Sequence, residues 1–265
     1  MYSGTIVPLV TPLDVDGAVS ARSVDRLVES VHQDVTALMP ALSTGEGWQL
    51  SDRQWADMVA LTRRHSRGLP VLAGVQAPTT EAVLARAKLG EELGVAAVVV
   101  GTPYGRAVTQ DEIYRHYRAL AAELATPMFI YNESAVSGNS AELETLLGVL
   151  ALPGVVGVKE SSGSPEFTGR VLRANPPVPV FQGWENLLAD TPGVAGFIGP
   201  LANLEPDLCN GMLNDPVPDG QARVDEACAR FELFADDWYL RVKRELVRRG
   251  VITTDRVVDE PKVRT

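Results

Sequence analysis

The chain is poor in the residues that carry metal, redox and polyanion chemistry. Two cysteines among 265 residues, Cys209 and Cys228, cannot build a disulfide framework or a four-cysteine zinc site, and free thiols of a reducing compartment are the natural reading. Three histidines, His32, His65 and His116, fall in segments that read as helix, without the ligand spacing a metal site requires, so no metal is expected. No apolar run reaches the ~18 residues that cross a bilayer, and no basic stretch followed by an apolar core opens the chain. A cytoplasmic protein without a membrane partner is the expectation. Basic residues number 24 against 34 acidic ones, a net charge of −10, which argues against nucleic acid as a partner. Lysine is scarcer still. Only Lys88, Lys159, Lys243 and Lys262 stand among 20 arginines, so a lysine in an unusual place needs a reason.

What the chain does have is ordinary globular composition, 45% hydrophobic and 22% charged, and a repeating pattern. Short apolar runs rich in β-branched residues occur at 5–10, 37–41, 70–76, 96–101, 127–131, 155–158, 178–182 and 196–199. The segments between them read as helices: Val24, Leu27, Val28 and Val31 keep helical spacing, as do Leu143, Leu146, Leu147 and Leu150. Ser51 with Gln54 and Thr109 with Glu112 fit capping boxes, and Ser164-Pro165-Glu166 reads as a helix start. The last two strand spacings, 23 and 18 residues, leave room only for short or irregular helices. Runs apolar throughout point to a parallel sheet buried on both faces. Eight such units without a glycine-rich phosphate loop after the first favour a (β/α)8 barrel over an open doubly wound sheet. The expected division is a barrel over residues 1–213 and a C-terminal helical extension over 214–265, with helices near 205–213, 219–235 and 237–249 and a linker at 214–220.

In such barrels chemistry sits at the C-terminal ends of the strands. Lys159, in Val155-Val156-Gly157-Val158-Lys159, is the lysine embedded in a strand. Burial lowers an ammonium's pKa and frees an amine that can condense with a carbonyl to a Schiff base. A strand-end lysine reaching solvent, or one paired with Glu160, is the plainer alternative. Tyr131 ends the fifth run and can relay protons, or it is a core aromatic with a satisfied hydroxyl. Ser43-Thr44-Gly45 offers hydroxyls and approachable amides for a small carboxylate, and is equally ordinary loop chemistry.

Taken together these motifs resemble the dihydrodipicolinate synthase / N-acetylneuraminate lyase family of pyruvate-dependent Schiff-base lyases. Gly4-Thr5-Ile6-Val7-Pro8-Leu9-Val10-Thr11-Pro12 is similar to its first strand, Ser43-Thr44-Gly45-Glu46 to its [ST]TGE loop, Tyr131-Asn132 to its YN and Gly157-Val158-Lys159-Glu160-Ser161 to its G[IV]K[ED][AS] strand. The resemblance implies that Lys159 forms an imine with pyruvate or a related 2-oxo acid. It also implies that Tyr131, hydrogen-bonded to Thr44, moves protons, and that Ser43, Thr44 and neighbouring amides, Gly45 included, hold the carboxylate. The enamine then adds to an aldehyde, or arises by cleavage, with no cofactor and no metal, in a homo-oligomer.

The chain departs from the family at four points. Val136 stands where the synthase branch has an arginine for its second substrate's carboxylate. The tyrosine pair after strand four is Tyr104-Gly105, so the subunit-crossing tyrosine is missing and the relay must be shorter or use water. The lyase branch's GYDE is Gly183-Trp184-Glu185-Asn186. The chain is also shorter at its end than the family, which makes a dimer as credible as a tetramer. Glu133 shares a face with Tyr131 if the strand continues and would serve as an acid or base for the second substrate, a solvated loop carboxylate being the plain alternative. Gly183 and Glu185 are candidates for substrate contact, Arg106 for a second carboxylate. The expected activity is an aldolase or lyase with an unidentified aldehyde. The alternatives are a dehydratase of a sugar-derived 2-oxo acid on the same scaffold and a non-catalytic 2-oxo-acid-binding barrel.

Overall fold

The computed structural model describes residues 1–214 and 218–258. Eight parallel strands alternate with helices: β1 Gly4–Val7, α1 Ala21–Val31, β2 Ala37–Leu38, α2 Asp52–His65, β3 Leu72–Gly74, α3 Thr80–Glu92, β4 Ala97–Gly101, α4 Gln110–Glu123, β5 Met128–Asn132, α5 Leu143–Leu150, β6 Val155–Glu160, α6 Pro165–Arg173, β7 Val180–Gln182 and β8 Gly196–Phe197. Three further helices follow, α7 Pro206–Asn214, α8 Pro218–Arg230 and α9 Trp238–Arg248. The sheet runs β2-β1-β8-β7-β6-β5-β4-β3, and a parallel bridge from Leu38 to Val71 links its two ends. This is the expected (β/α)8 barrel. Among the described residues no helix is long and apolar enough to cross a membrane.

All eight expected strands form, though all but β5 and β6 are shorter than their apolar runs. Residues beyond those strand ends, such as Met39, Leu42 and Val75, remain fully buried, so apolarity outlasts ladder pairing. Both capping boxes are present, Ser51 with Gln54 and Thr109 with Glu112, and Ser164 caps α6 by accepting from Phe167 N–H. The tight spacing before β8 holds only a 3₁₀ turn, Glu185–Leu187.

Alternation along each strand sorts side chains between two cores. Ile6, Met39, Leu72, Val99, Phe129 and Phe181 fill the barrel, with the Phe129 and Phe181 rings edge-to-face at 5.4 Å. Val7, Leu38, Val98, Val100, Ile130 and Val158 pack outward against the helices. Gly157 is needed for this interior, because a Cβ there would lie 2.4 Å from the Phe129 ring. One residue on, Val158 turns outward, and Lys159 turns inward again.

The C-terminal part is no separate body. Helix α7 packs on β1, α8 on the Glu185–Leu187 turn and α9 on the 3₁₀ turns Ser43–Gly45 and Pro200–Asn203. The extension therefore lies over the strands' C-terminal ends. Residues 215–217 of the expected linker, and 259–265 of the tail, lie outside the described residues.

The helix expected over 219–235 stops at Arg230. Glu232 adopts a left-handed φ of +53°, Glu232 N–H bonds Ala229 O at 3.2 Å, and Leu233 N–H bonds Cys228 O at 3.0 Å. These are the two bonds of a Schellman motif. Glycine usually marks that stop, and here a glutamate occupies it, held at 2.7 Å by Arg241. The chain is thereby redirected, and residues 233–238 reach the barrel mouth.

Candidate active site

The register of β5 against β6 brings the candidates together. Tyr131 pairs with Lys159, and Asn132 with Glu160, so residues 28 positions apart in the chain stand side by side. The Lys159 Nζ lies 4.4 Å from the centre of the Tyr131 ring. Glu160, one residue on, faces outward and is held by Thr168 Oγ1 at 2.7 Å and by Ser162 N–H at 2.9 Å. The alternative pairing of Lys159 with Glu160 is thus overturned by strand alternation. Nor does Lys159 reach solvent, being only 4% exposed. Burial lowers its amine to about 8, against the opposing pull of Glu185 and then Glu133.

Lys159, Tyr131, Ser43, Thr44, Glu133, Gly183 and Glu185 all line one cavity of about 290 Å³ at the C-terminal end of the barrel. Gly45 does not. Its N–H is donated to Leu42 O at 2.9 Å, and a Cβ on it would lie 2.7 Å from Leu9 O. Of this turn, Ser43 and Thr44 line the cavity. The hydroxyl that meets Tyr131 is Ser43's, at 3.4 Å, rather than Thr44's, because the 3₁₀ turn directs Ser43 toward β5. Gln76 Nε2 in turn donates to Ser43 Oγ at 3.1 Å. Burial, chiefly, holds the Tyr131 phenol well above its ordinary value, so the hydroxyl stays protonated and able to donate.

Glu133 is buried, not a solvated loop carboxylate. Its two oxygens accept from Val136 N–H at 2.8 Å and Ser137 N–H at 3.2 Å. Glu185 is likewise buried, with Oε1 accepting from Leu201 N–H at 2.9 Å. Burial raises both carboxyls. Room for Glu185 depends on Gly199, where a Cβ would meet the Phe197 ring at 2.2 Å and Glu185 Oε1 at 2.5 Å. Arg106 is exposed and outside the cavity lining.

Two features escaped sequence reasoning. The first is the cavity's outer wall, where Leu233, Phe234 and Trp238 from the segment after α8 face Trp184 and Val136. The helices expected over 219–235 and 237–249 hid them, because no glycine announced the stop at Glu232. The second is Lys243, read as an ordinary helix residue and found fully buried. It bonds Glu46 of the Ser-Thr-Gly-Glu loop and, at 2.7 Å, Arg256 O. The other Glu46 oxygen accepts from Val258 N–H at 2.7 Å. Glu46, at φ +57°, therefore fastens the loop carrying Ser43 and Thr44 to α9 and the following strap.

Comparison with known proteins gives one consistent answer. The model of the dihydrodipicolinate synthetase family matches residues 1–256. The 4-hydroxy-tetrahydrodipicolinate synthase of Archaeoglobus fulgidus is 28% identical over 260 residues, covering 95% of this chain and 89% of the relative. That of Thermomicrobium roseum is 31% identical over 228 residues, covering 84% and 76%. The solved dihydrodipicolinate synthase of Bacteroides thetaiotaomicron has a TM-score of 0.88 at 28% identity, covering 98% of this chain and 92% of that one.

Proposed function

The chain belongs to the dihydrodipicolinate synthetase family, whose members are lyases working through a Schiff base, and from that premise we propose that Lys159 is the imine-forming residue of a lyase acting on pyruvate or a related 2-oxo acid. The observation that carries this reading is a buried amine, lowered to about 8, in register with Tyr131 and 4.4 Å from the centre of its ring. The free amine attacks the C2 carbonyl, and loss of water leaves the imine. Its protonated nitrogen makes the C3 hydrogens acidic, and loss of one gives an enamine. The enamine carbon adds to an aldehyde carbonyl, the new alkoxide takes a proton, and water releases a 4-hydroxy-2-oxo acid. Cleavage is the same sequence reversed.

Tyr131, bonded to Ser43, moves protons at the lysine nitrogen. Ser43 and Thr44 hold the carboxylate. Glu133, inside the cavity with its carboxyl raised by burial, is the acid and base for the aldehyde oxygen, a task for which no neighbouring subunit's tyrosine is then required. Glu185, buried in the same cavity, counters positive charge on the nitrogen.

Borohydride reduction in the presence of pyruvate tests the assignment. Peptide mass spectrometry is expected to find a carboxyethyl adduct on Lys159, absent from Lys159→Ala. An unmodified Lys159 under these conditions overturns the proposal, and analysis of products formed from 4-hydroxy-2-oxo acids separates cleavage from dehydration.

A further inference from the structure

The cavity has two chemically different parts. Its buried part is polar: Ser43, Thr44, Tyr131, Glu133, Lys159 and Glu185. Its mouth carries a hydrocarbon wall alongside the exposed polar residues Ser134, Ser162 and Asp236. The Trp184 and Phe234 rings stack there with centres 6.3 Å apart and planes at 29°, and Trp238 and Leu233 continue the wall. Trp184 and Phe234 are 37% and 51% exposed, which places two large aromatic faces against solvent at the entrance. Burying such faces is favourable, so a ligand that covers them gains affinity.

The Trp184 indole N–H is already donated to Ser161 O at 3.0 Å. This residue therefore offers an incoming molecule only carbon, and a sugar hydroxyl finds no donor on it. Charge narrows the choice further. Among the described lining residues Lys159 is the only basic one, while Glu133, Glu185 and Asp236 are acidic. A second substrate bearing a carboxylate would lose hydration and meet repulsion without a cation to replace the water. A cationic substrate would share the two buried glutamates with Lys159, whose charge they already face, and both oxygens of Glu133 and Oε1 of Glu185 already accept backbone N–H groups.

Resting on the Schiff-base reading above, we propose that the aldehyde partner is uncharged and aromatic, its ring seated against Trp184, Phe234 and Trp238 and its carbonyl directed inward to the enamine. The reaction is then a 2-oxo acid plus an aryl aldehyde giving a 4-aryl-4-hydroxy-2-oxo acid. The enamine carbon forms the new bond, the carbonyl oxygen gains a proton, and the water released in forming the imine is returned in its hydrolysis.

The test uses the full-length protein with pyruvate and four aldehydes: benzaldehyde, 4-carboxybenzaldehyde, glyceraldehyde and succinic semialdehyde. Exchange of the pyruvate methyl hydrogens with deuterium is measured first, without aldehyde. Expected results are exchange, and a kcat/KM for benzaldehyde about tenfold or more above those of the other three. Phe234→Ala, at an exposed position, should reduce that preference about five- to tenfold, chiefly through KM, whereas Trp184→Phe, which keeps a ring, should retain most of it. Exchange accompanied by preference for glyceraldehyde or either carboxylate overturns the aromatic seat and leaves the Schiff base standing. Absence of exchange overturns the reading beneath it. A Phe234→Ala protein whose sedimentation coefficient changes assigns the exposed rings to a contact between copies, which also overturns the proposal.

Discussion

Replacing Glu185 by glutamine should make the Lys159 amine easier to deprotonate, and the scarcity of lysine makes this directly observable. In the folded protein burial brings that amine from 10.5 to about 8, while Glu185 and Glu133 resist the shift. At pH 7 an ordinary lysine is neutral in about one molecule in three thousand, and one at about 8 in about one in eleven. The fold therefore raises the neutral fraction of this amine about 300-fold. With lysine labelled at the ε-carbon, only four side-chain resonances arise from 265 residues, and the signal lost in Lys159→Met identifies the residue. Its titration midpoint is expected near 8 in the native protein. In Glu185→Gln the midpoint should be lower, because the carboxylate favouring the ammonium is gone. A native midpoint at or above 10, or an upward shift in Glu185→Gln, would refute the claim that burial opposed by these glutamates sets the amine's reactivity.

Three further outcomes follow from the same geometry. Lys159→Met should stabilise the fold at pH 7 by about 3 kcal/mol, the equivalent of the drop from 10.5 to about 8. That penalty on the native protein is complete below the folded value, shrinks as pH rises through the interval and is gone above 10.5, so denaturation curves of the two proteins should converge at high pH. Lys243→Met leaves Glu46 buried without its cation and should cost about 3–5 kcal/mol, while Glu46→Gln combined with Lys243→Met should recover much of it in urea unfolding; equal losses would contradict a coupled pair. Gly199→Ala should cost about 1–3 kcal/mol by overpacking and move the Lys159 midpoint in the direction of Glu185→Gln. Gly211→Ala in α7, where a Cβ meets nothing within 4 Å, is the control and should lose no stability in thermal unfolding.

The barrel was legible because its signals are local. A β-branched apolar run, a capping box such as Thr109 with Glu112, and the short interval before β8 each depend on neighbouring residues. Tyr131 and Lys159 were legible for a related reason, since consecutive parallel strands place their C-terminal ends together. The outer wall was not legible. Phe234 and Trp238 belong to a segment redirected by Glu232, and a glutamate in left-handed conformation has no sequence signature. Its position depends on the ion pair with Arg241 and on the surface it packs against.

Lysine shows where the boundary falls. The sequence by itself determined that Lys159 ends a buried strand at the mouth of a barrel, because periodicity and strand order are properties of the linear chain. It carried no sign that Lys243, inside a helix, is buried just as deeply. The tertiary structure decided the matter by placing Glu46, 197 positions away, against Lys243, while setting Lys159 beside a tyrosine ring and two carboxylates already engaged with backbone N–H groups. A buried ammonium bonded directly to a counter-charge is structural, and one without that bond yields its proton more readily. That difference depends on which side chains meet across the fold.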